Sequence, residues 1–151
     1  MFIKEAELFK GMSQAFMSDL AKIMVEESYE KGTCLFQEGD SPDFFYVLEE
    51  GRVKLSIGER GHMIQTLTDQ GEAFGWSSLV ERDTYTSSAE CVAQSRLIKI
   101  ERIKLNKLFE KHLEDGVVFF RRLAGLIGQR LINSYNSLLS LQRGADQPSY
   151  G

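Results

Sequence analysis

The residues best placed to do chemistry lie in the run Gly71-Glu72-Ala73-Phe74-Gly75-Trp76-Ser77-Ser78-Leu79 and, one polar loop later, in Ser87-Ser88-Ala89. A glycine-rich turn opening into one short helical turn leaves unpaired backbone N–H groups, and the aligned peptide dipoles add positive charge there, so anions collect. Glycine lets a ligand approach the main chain closely. Two readings fit the run: a cradle for a small anion such as phosphate, and a tight turn that closes a barrel.

Other reactive residues are sparse. His62 falls in a hairpin turn and His112 near a helix end, whereas a barrel-interior metal needs a cluster of histidines with a carboxylate. The same shortage leaves serine and cysteine without a histidine base. Cys34 and Cys91 stand far apart in apolar, strand-like contexts and read as buried free thiols rather than a disulfide or a metal pair. No catalytic residue and no metal ligand is assigned, and the chain is not expected to be an enzyme.

The elements that must position the run follow from periodicity. Ser13 is a plausible N-cap, and Phe16, Leu20, Ile23 and Met24 then fall on one face of a helix reaching about Val25. From about 27 to 100 the period becomes two: Val53, Leu55 and Ile57 alternate with Arg52, Lys54 and Ser56. Thr33-Cys34-Leu35-Phe36-Gln37 and Phe44-Phe45-Tyr46-Val47-Leu48 are rich in strand formers. Turn residues punctuate them at Lys31-Gly32, Glu38-Gly39-Asp40-Ser41-Pro42, Glu50-Gly51, Gly58-Glu59-Arg60-Gly61 and Asp69-Gln70-Gly71. Short strands with regular turn signals predict an all-β sandwich or barrel. A short helix over about 101–111 follows, with Ile103, Leu105 and Leu108 as its apolar residues. Asp115 caps a second helix, reaching about Gln142 and roughly 40 Å long at about 1.5 Å per residue.

On that second helix Val117, Phe120, Ala124, Ile127, Leu131 and Leu138 form a stripe, widened by Leu123, Leu126, Ile132 and Leu139. One small barrel cannot cover a stripe so wide on so long a helix. A second copy would, which makes a homodimer through about 115–142 the expected assembly. Gly125 and Gly128 each cost about 1 kcal/mol in a helix interior; close approach of another backbone or a bend would account for them.

Composition bounds the class. The 151 residues suit one domain with a real core. A net charge of −4 and a pI near 5.3 speak against a nucleic-acid-binding face. The N-terminus has no secretory pattern, and 117–132 is interrupted by Arg121, Arg122 and Arg130, so no membrane partner and a cytoplasmic location are expected. A domain over 1–143, with its β-roll at about 27–100, and a flexible tail over 144–151 complete the expected organisation.

With these residues in place, the chain resembles the cyclic nucleotide-binding domain family, which includes the catabolite activator protein and the regulatory subunits of cAMP-dependent protein kinase. The resemblance spans about 8–142. It rests on Leu8-Phe9-Lys10-Gly11, on Gly32 with Leu35-Phe36-Gln37-Glu38-Gly39-Asp40, on Phe45-Tyr46-Val47-Leu48 with Gly51-Arg52-Val53, and on Gly71-Glu72-Ala73-Phe74-Gly75. It implies a mainly β fold with flanking helices: a double-stranded β-helix (jelly roll) with an N-terminal helix and a long C-terminal dimerisation helix.

The family's phosphate cassette reads Phe-Gly-Glu-small-Ala-Leu, a loop, then Arg-Ser/Thr-Ala. The register that pairs Phe74-Gly75 with Phe-Gly, and Ser88-Ala89 with Ser/Thr-Ala, puts Trp76 at the ribose-binding Glu and Ser87 at the phosphate-binding Arg. It leaves Glu72 as a turn acid. The resemblance thus implies a pocket of Phe74, Gly75, Trp76, Ser77, Ser78, Ser87, Ser88 and Ala89. Ser134 and Tyr135, beside Asn133, stand where the family caps the base, or on an exposed helix edge. Each lost charge-assisted bond is worth on the order of 1.5–3 kcal/mol.

Arg82 is either a substitute anchor or a solvated loop charge, and Trp76 is large enough to fill the pocket. The expected function is a regulatory small-molecule sensor for a cyclic nucleotide or another small anion, with no other cofactor. The alternative is a pseudo-sensor that binds no nucleotide and meets a protein partner. Only eight residues follow Arg143, so no helix-turn-helix is expected, and the signal is expected to pass through a hinge at 112–116.

Overall fold

The computed structural model describes residues 6–146. A 3₁₀ turn, Glu7–Phe9, leads to α1, Gln14–Ile23, whose Ser13 N-cap accepts from Phe16 N at 3.2 Å. Eight strands follow: β1 Met24–Tyr29, β2 Cys34–Phe36, β3 Phe44–Glu50, β4 Val53–Ile57, β5 His62–Leu67, β6 Ala73–Phe74, β7 Ser88–Cys91 and β8 Ser95–Glu101. A second 3₁₀ turn, Trp76–Ser78, sits between β6 and β7, and α2, Arg102–Lys111, and α3, Leu113–Asp146, close the described chain. No helix among the described residues is long and apolar enough to cross a membrane.

The strands form two antiparallel four-stranded sheets, ordered β1-β8-β3-β6 and β2-β7-β4-β5. β3 explains how the layers stack, because Phe45 through Leu48 are all buried. Tyr46 and Leu48 face the second sheet, in a cluster with Phe36, Val53, Leu55 and Phe74. Phe45 and Val47 face the other way, toward Phe16, Leu20, Leu105 and Phe119 of the helices. The first sheet is therefore covered on both faces, and a run of apolar residues replaces simple alternation. The fold is the mainly β roll with flanking helices that the sequence predicts.

Several boundaries differ from expectation. α1 stops at Ile23 and the roll begins at Met24, because the β1–β8 ladder starts with Met24 opposite Ile100. Asp115 does not cap the last helix. α3 starts at Leu113, and the Asp115 carboxylate instead accepts from Ser13 N at 2.8 Å and Ser13 Oγ at 2.6 Å. Only His112 separates α2 from α3, so the junction expected at 112–116 is one residue wide. Helix continues to Asp146, into the stretch read as tail; 147–151 lie outside the described residues. Cys91 is buried as expected but Cys34 is exposed, since the register shifts between Cys34 and Phe36 and leaves Cys34 on the outer surface.

Candidate ligand-binding site

β6 brings Phe74 into the roll, and Gly75 then turns the chain with φ 78°. A Cβ there would stand 3.0 Å from Phe44 O, so glycine is required by both conformation and space. Ser78 closes the 3₁₀ turn by donating from N (3.1 Å) and from Oγ (2.7 Å) to Gly75 O. Ser77 and Ser78 are buried. The Glu72 carboxylate accepts from Thr68 N and Asp69 N, both at 2.9 Å, the part of a turn acid.

The interior of the roll is occupied by side chains. Phe74 stacks on Tyr46 with ring centroids 5.1 Å apart, and Phe36 stacks on Tyr85 at 3.7 Å. The Tyr85 hydroxyl donates to Phe44 O at 2.6 Å and accepts from Phe44 N at 3.0 Å. Burial pushes its pKa up to about 12. Ala89 is fully buried opposite Leu55. Ser88 Oγ accepts from Glu38 N at 2.9 Å, tying β7 to the turn after β2. Ser87, half-buried, lies next to it.

Three expected pocket members lie elsewhere. Trp76 does not fill the roll. The left-handed step at Gly75 reverses the side on which the chain presents its residues, and the indole packs on the helix-side cluster of Phe45, Leu79 and Leu105. Ser134 and Tyr135 are not brought to the 3₁₀ turn. Ser134 Oγ donates back to Arg130 O at 3.0 Å, Tyr135 is 54% exposed, and every residue from 131 to 143 is exposed because α3 has run past the body of the roll. Arg82 is exposed too, and lines a recess of about 420 Å³ beside α2 with Arg102 and Asn106 rather than reaching the interior.

A residue that the motifs do not mark reaches the strand leading into the turn. Arg130 of α3 donates from Nη2 to Ala73 O at 2.8 Å, one residue before Phe74. Burial holds its guanidinium pKa below the usual value, with the Glu72 charge opposing that shift. It lines a groove of about 600 Å³ between α3 and the turn joining β5 to β6. Its only sequence signal is a cation on the flank of the apolar stripe, which is ordinarily a solvated one.

The family profile described as cyclic nucleotide-binding domain matches residues 26–112. Mouse cGMP-dependent protein kinase 2 is 27% identical over 134 residues, which are 80% of this chain and 17% of the kinase. A CRP-like cAMP-activated global transcriptional regulator of Mycobacterium tuberculosis is 24% identical over 143 residues, 92% of this chain and 61% of the regulator. The chain therefore spans less than two thirds of the length of either relative. Among solved structures, a candidate cyclic nucleotide-binding protein from Geobacter metallireducens superposes with TM-score 0.76 at 27% identity, over 85% of this chain and 95% of that one. The Thermus thermophilus catabolite activator protein does so with TM-score 0.71 at 23% identity, over 90% of this chain and 63% of that one, and shares the fold. With the profile covering more than half of its length and the roll, the Phe-Gly turn and the helices all in place, the chain belongs to the cyclic nucleotide-binding domain family, whose domain is a regulatory, non-catalytic module.

Proposed function

We infer that the chain is a regulatory module that responds to a cyclic nucleotide or another small phosphorylated anion and reports through α3, paired with a second copy of itself. The observation that carries this reading is the double use of α3. On one flank it walls the groove beside β6, where Arg130 holds Ala73 O. On the other, Val117, Leu131 and Leu138 lie at heptad spacing and are 55%, 49% and 63% exposed, with nothing among the described residues to cover them. Between the flanks, Phe119 and Leu123 pack on the core. A ligand that shifts α3 against β6 thus changes the angle at which two copies meet.

The hinge supports this. α1 grips it twice, through Ser13 on Asp115 and through Asp19, whose Oδ2 lies 2.8 Å from His112 Nε2 and 3.0 Å from Lys111 Nζ. The second reading is an adaptor that binds no nucleotide. The aromatic packing of Phe36, Tyr46, Phe74 and Tyr85 favours it, since those rings occupy the space a roll would offer a ligand. Free thiols at Cys34 and Cys91 suit a reducing compartment, and the site of action we propose is the cytoplasm.

Trp76 is the single tryptophan, so intrinsic fluorescence and melting temperature, each titrated with cAMP and with cGMP, test the sensor reading. A saturable fluorescence change with a rise in melting temperature supports it. A flat response in both at millimolar nucleotide refutes it and leaves the adaptor.

A further inference from the structure

The groove between α3 and the β5–β6 turn has no counterpart among the residues that the cassette register singles out. Its lining includes Gln65 and Gln70 from around the β5–β6 turn and Arg122, Gly125, Gln129, Arg130 and Asn133 from α3. Its volume, about 600 Å³, falls in the range of small-molecule sites.

Three features set it apart from a surface crevice. Arg130 is a partly buried cation with no carboxylate within salt-bridge distance among the described residues, and only one of its N–H groups is engaged, on Ala73 O. A guanidinium carries five donors in a planar fork that matches phosphate or carboxylate. The nearest acid, Glu72, is committed to Thr68 N and Asp69 N. Glu7, the other acid on the rim, is exposed.

Gly125 faces this groove from the interior of a continuous helix, and a Cβ added there would meet nothing within 4 Å. No neighbouring backbone among the described residues explains the glycine, which leaves the groove open at a cost of about 1 kcal/mol in helix stability. The remaining lining is amide-rich. Gln65 and Gln70 each carry donor and acceptor groups, as the edge of a heterocyclic base requires, and Gln129 donates from Nε2 to Asn133 Oδ1 at 3.0 Å, leaving the Gln129 carbonyl and the Asn133 amide N–H groups for a ligand.

We propose that the anionic ligand of this module binds in the α3 groove, its phosphoryl group on Arg130 and its polar heterocycle edge on the surrounding amides, rather than at the 3₁₀ turn after Gly75. This rests on the sensor reading and deepens it. The anchoring cation is carried by the output helix itself, so ligand binding acts on α3 directly. The seam residues lie across the core-facing stripe of Phe119 and Leu123 from the groove, so a ligand and a second copy can engage α3 at once.

The test is isothermal titration of the full chain with cAMP, cGMP and inorganic phosphate, comparing the wild type with Gly125→Leu, Arg130→Gln and Ser87→Ala. Gly125→Leu fills the groove while improving helix propensity, so it isolates blockage from misfolding; Arg130→Gln also loses the bond to Ala73 O and is read only with its melting temperature in hand. Nucleotide affinity is expected to fall at least about tenfold in both, with the melting temperature of Gly125→Leu unchanged or higher. Nucleotide binding that survives Gly125→Leu but is lost in Ser87→Ala overturns the proposal and leaves the sensor reading standing. Absence of nucleotide binding by the wild type overturns both.

Discussion

Replacing Leu131 and Leu138 together by glutamine should convert a dimer into a monomer without unfolding anything. The two leucines lie one heptad apart and are 49% and 63% exposed in the single chain. Full burial of a leucine is worth about 1.5–3 kcal/mol, so covering the exposed half of each gains about 1 kcal/mol. Two residues on each of two helices then contribute about 4 kcal/mol to association, and their loss should raise the dimer dissociation constant by about three orders of magnitude. Glutamine has nearly the helix propensity of leucine, and neither leucine belongs to the buried core, so circular dichroism at 222 nm and the melting temperature at low protein concentration should hold. Sedimentation equilibrium reads the association constant directly. Ile103→Gln is the control: Ile103 is 60% exposed on α2, away from the stripe, and its replacement should leave association untouched. A wild type that sediments as a monomer throughout, or a double variant whose dissociation constant moves less than about tenfold, refutes the seam.

Three further outcomes check the packing on which the site depends. Tyr85→Phe strands Phe44 N and Phe44 O inside the roll, and should cost about 1–3 kcal/mol in urea unfolding with the m-value unchanged. Gly51→Ala should cost about 3 kcal/mol, because Gly51 has φ 112° and an added Cβ would stand 2.6 Å from the Ser95 Cα; thermal unfolding checks it, and Ser95→Gly should not rescue, since the main chain is in the way. Asp19 is held at a pKa of about 2, below its usual 3.8, by the His112 hydrogen bond first and then by Lys111. A lowered carboxylate pKa gives stability that is present above the ordinary value and lost as pH falls toward the folded one. The melting temperature of the wild type should therefore drop across pH 4 to 2 more steeply than that of Asp19→Asn, whose profile there is flatter.

The frame of the molecule is written in local patterns that a sequence displays. The period-two alternation of Val53, Leu55 and Ile57 becomes β4, the turn glycines become the corners of the roll, and Ser13 caps α1 through Phe16 N. Where reading failed, a long-range or side-switching feature decided the outcome. Trp76 follows Phe74 by two residues, which in a strand would put both on one face; the left-handed Gly75 between them sends one into the roll and the other to the helices. Asp115 has the type and place of a cap, but Ser13 reaches it from 102 residues away and the helix begins without it. Arg130 shows least in the sequence, since nothing local marks which cation of Arg121, Arg122 and Arg130 will meet the Ala73 carbonyl across 57 positions.

The exchange of residues in the roll and the position of Arg130 bear on each other. An interior packed with four aromatic rings contributes to stability through buried area and ring stacking, and opening it for a ligand would break the Tyr85 bonds to Phe44 as well. The groove beside α3, a helix whose far flank is uncovered among the described residues, would take a ligand without that penalty. The junction of this helix with α2 is a single residue, His112, held to α1 by Asp19, while Ser13 at the α1 N-cap holds Asp115 of α3. In the proposed sensor, α3 would pivot about that clamp rather than slide. A pivot anchored at one end of a helix about 50 Å long turns a small displacement at Arg130 into a larger one at Leu138 and Leu141, where a second copy would sense it.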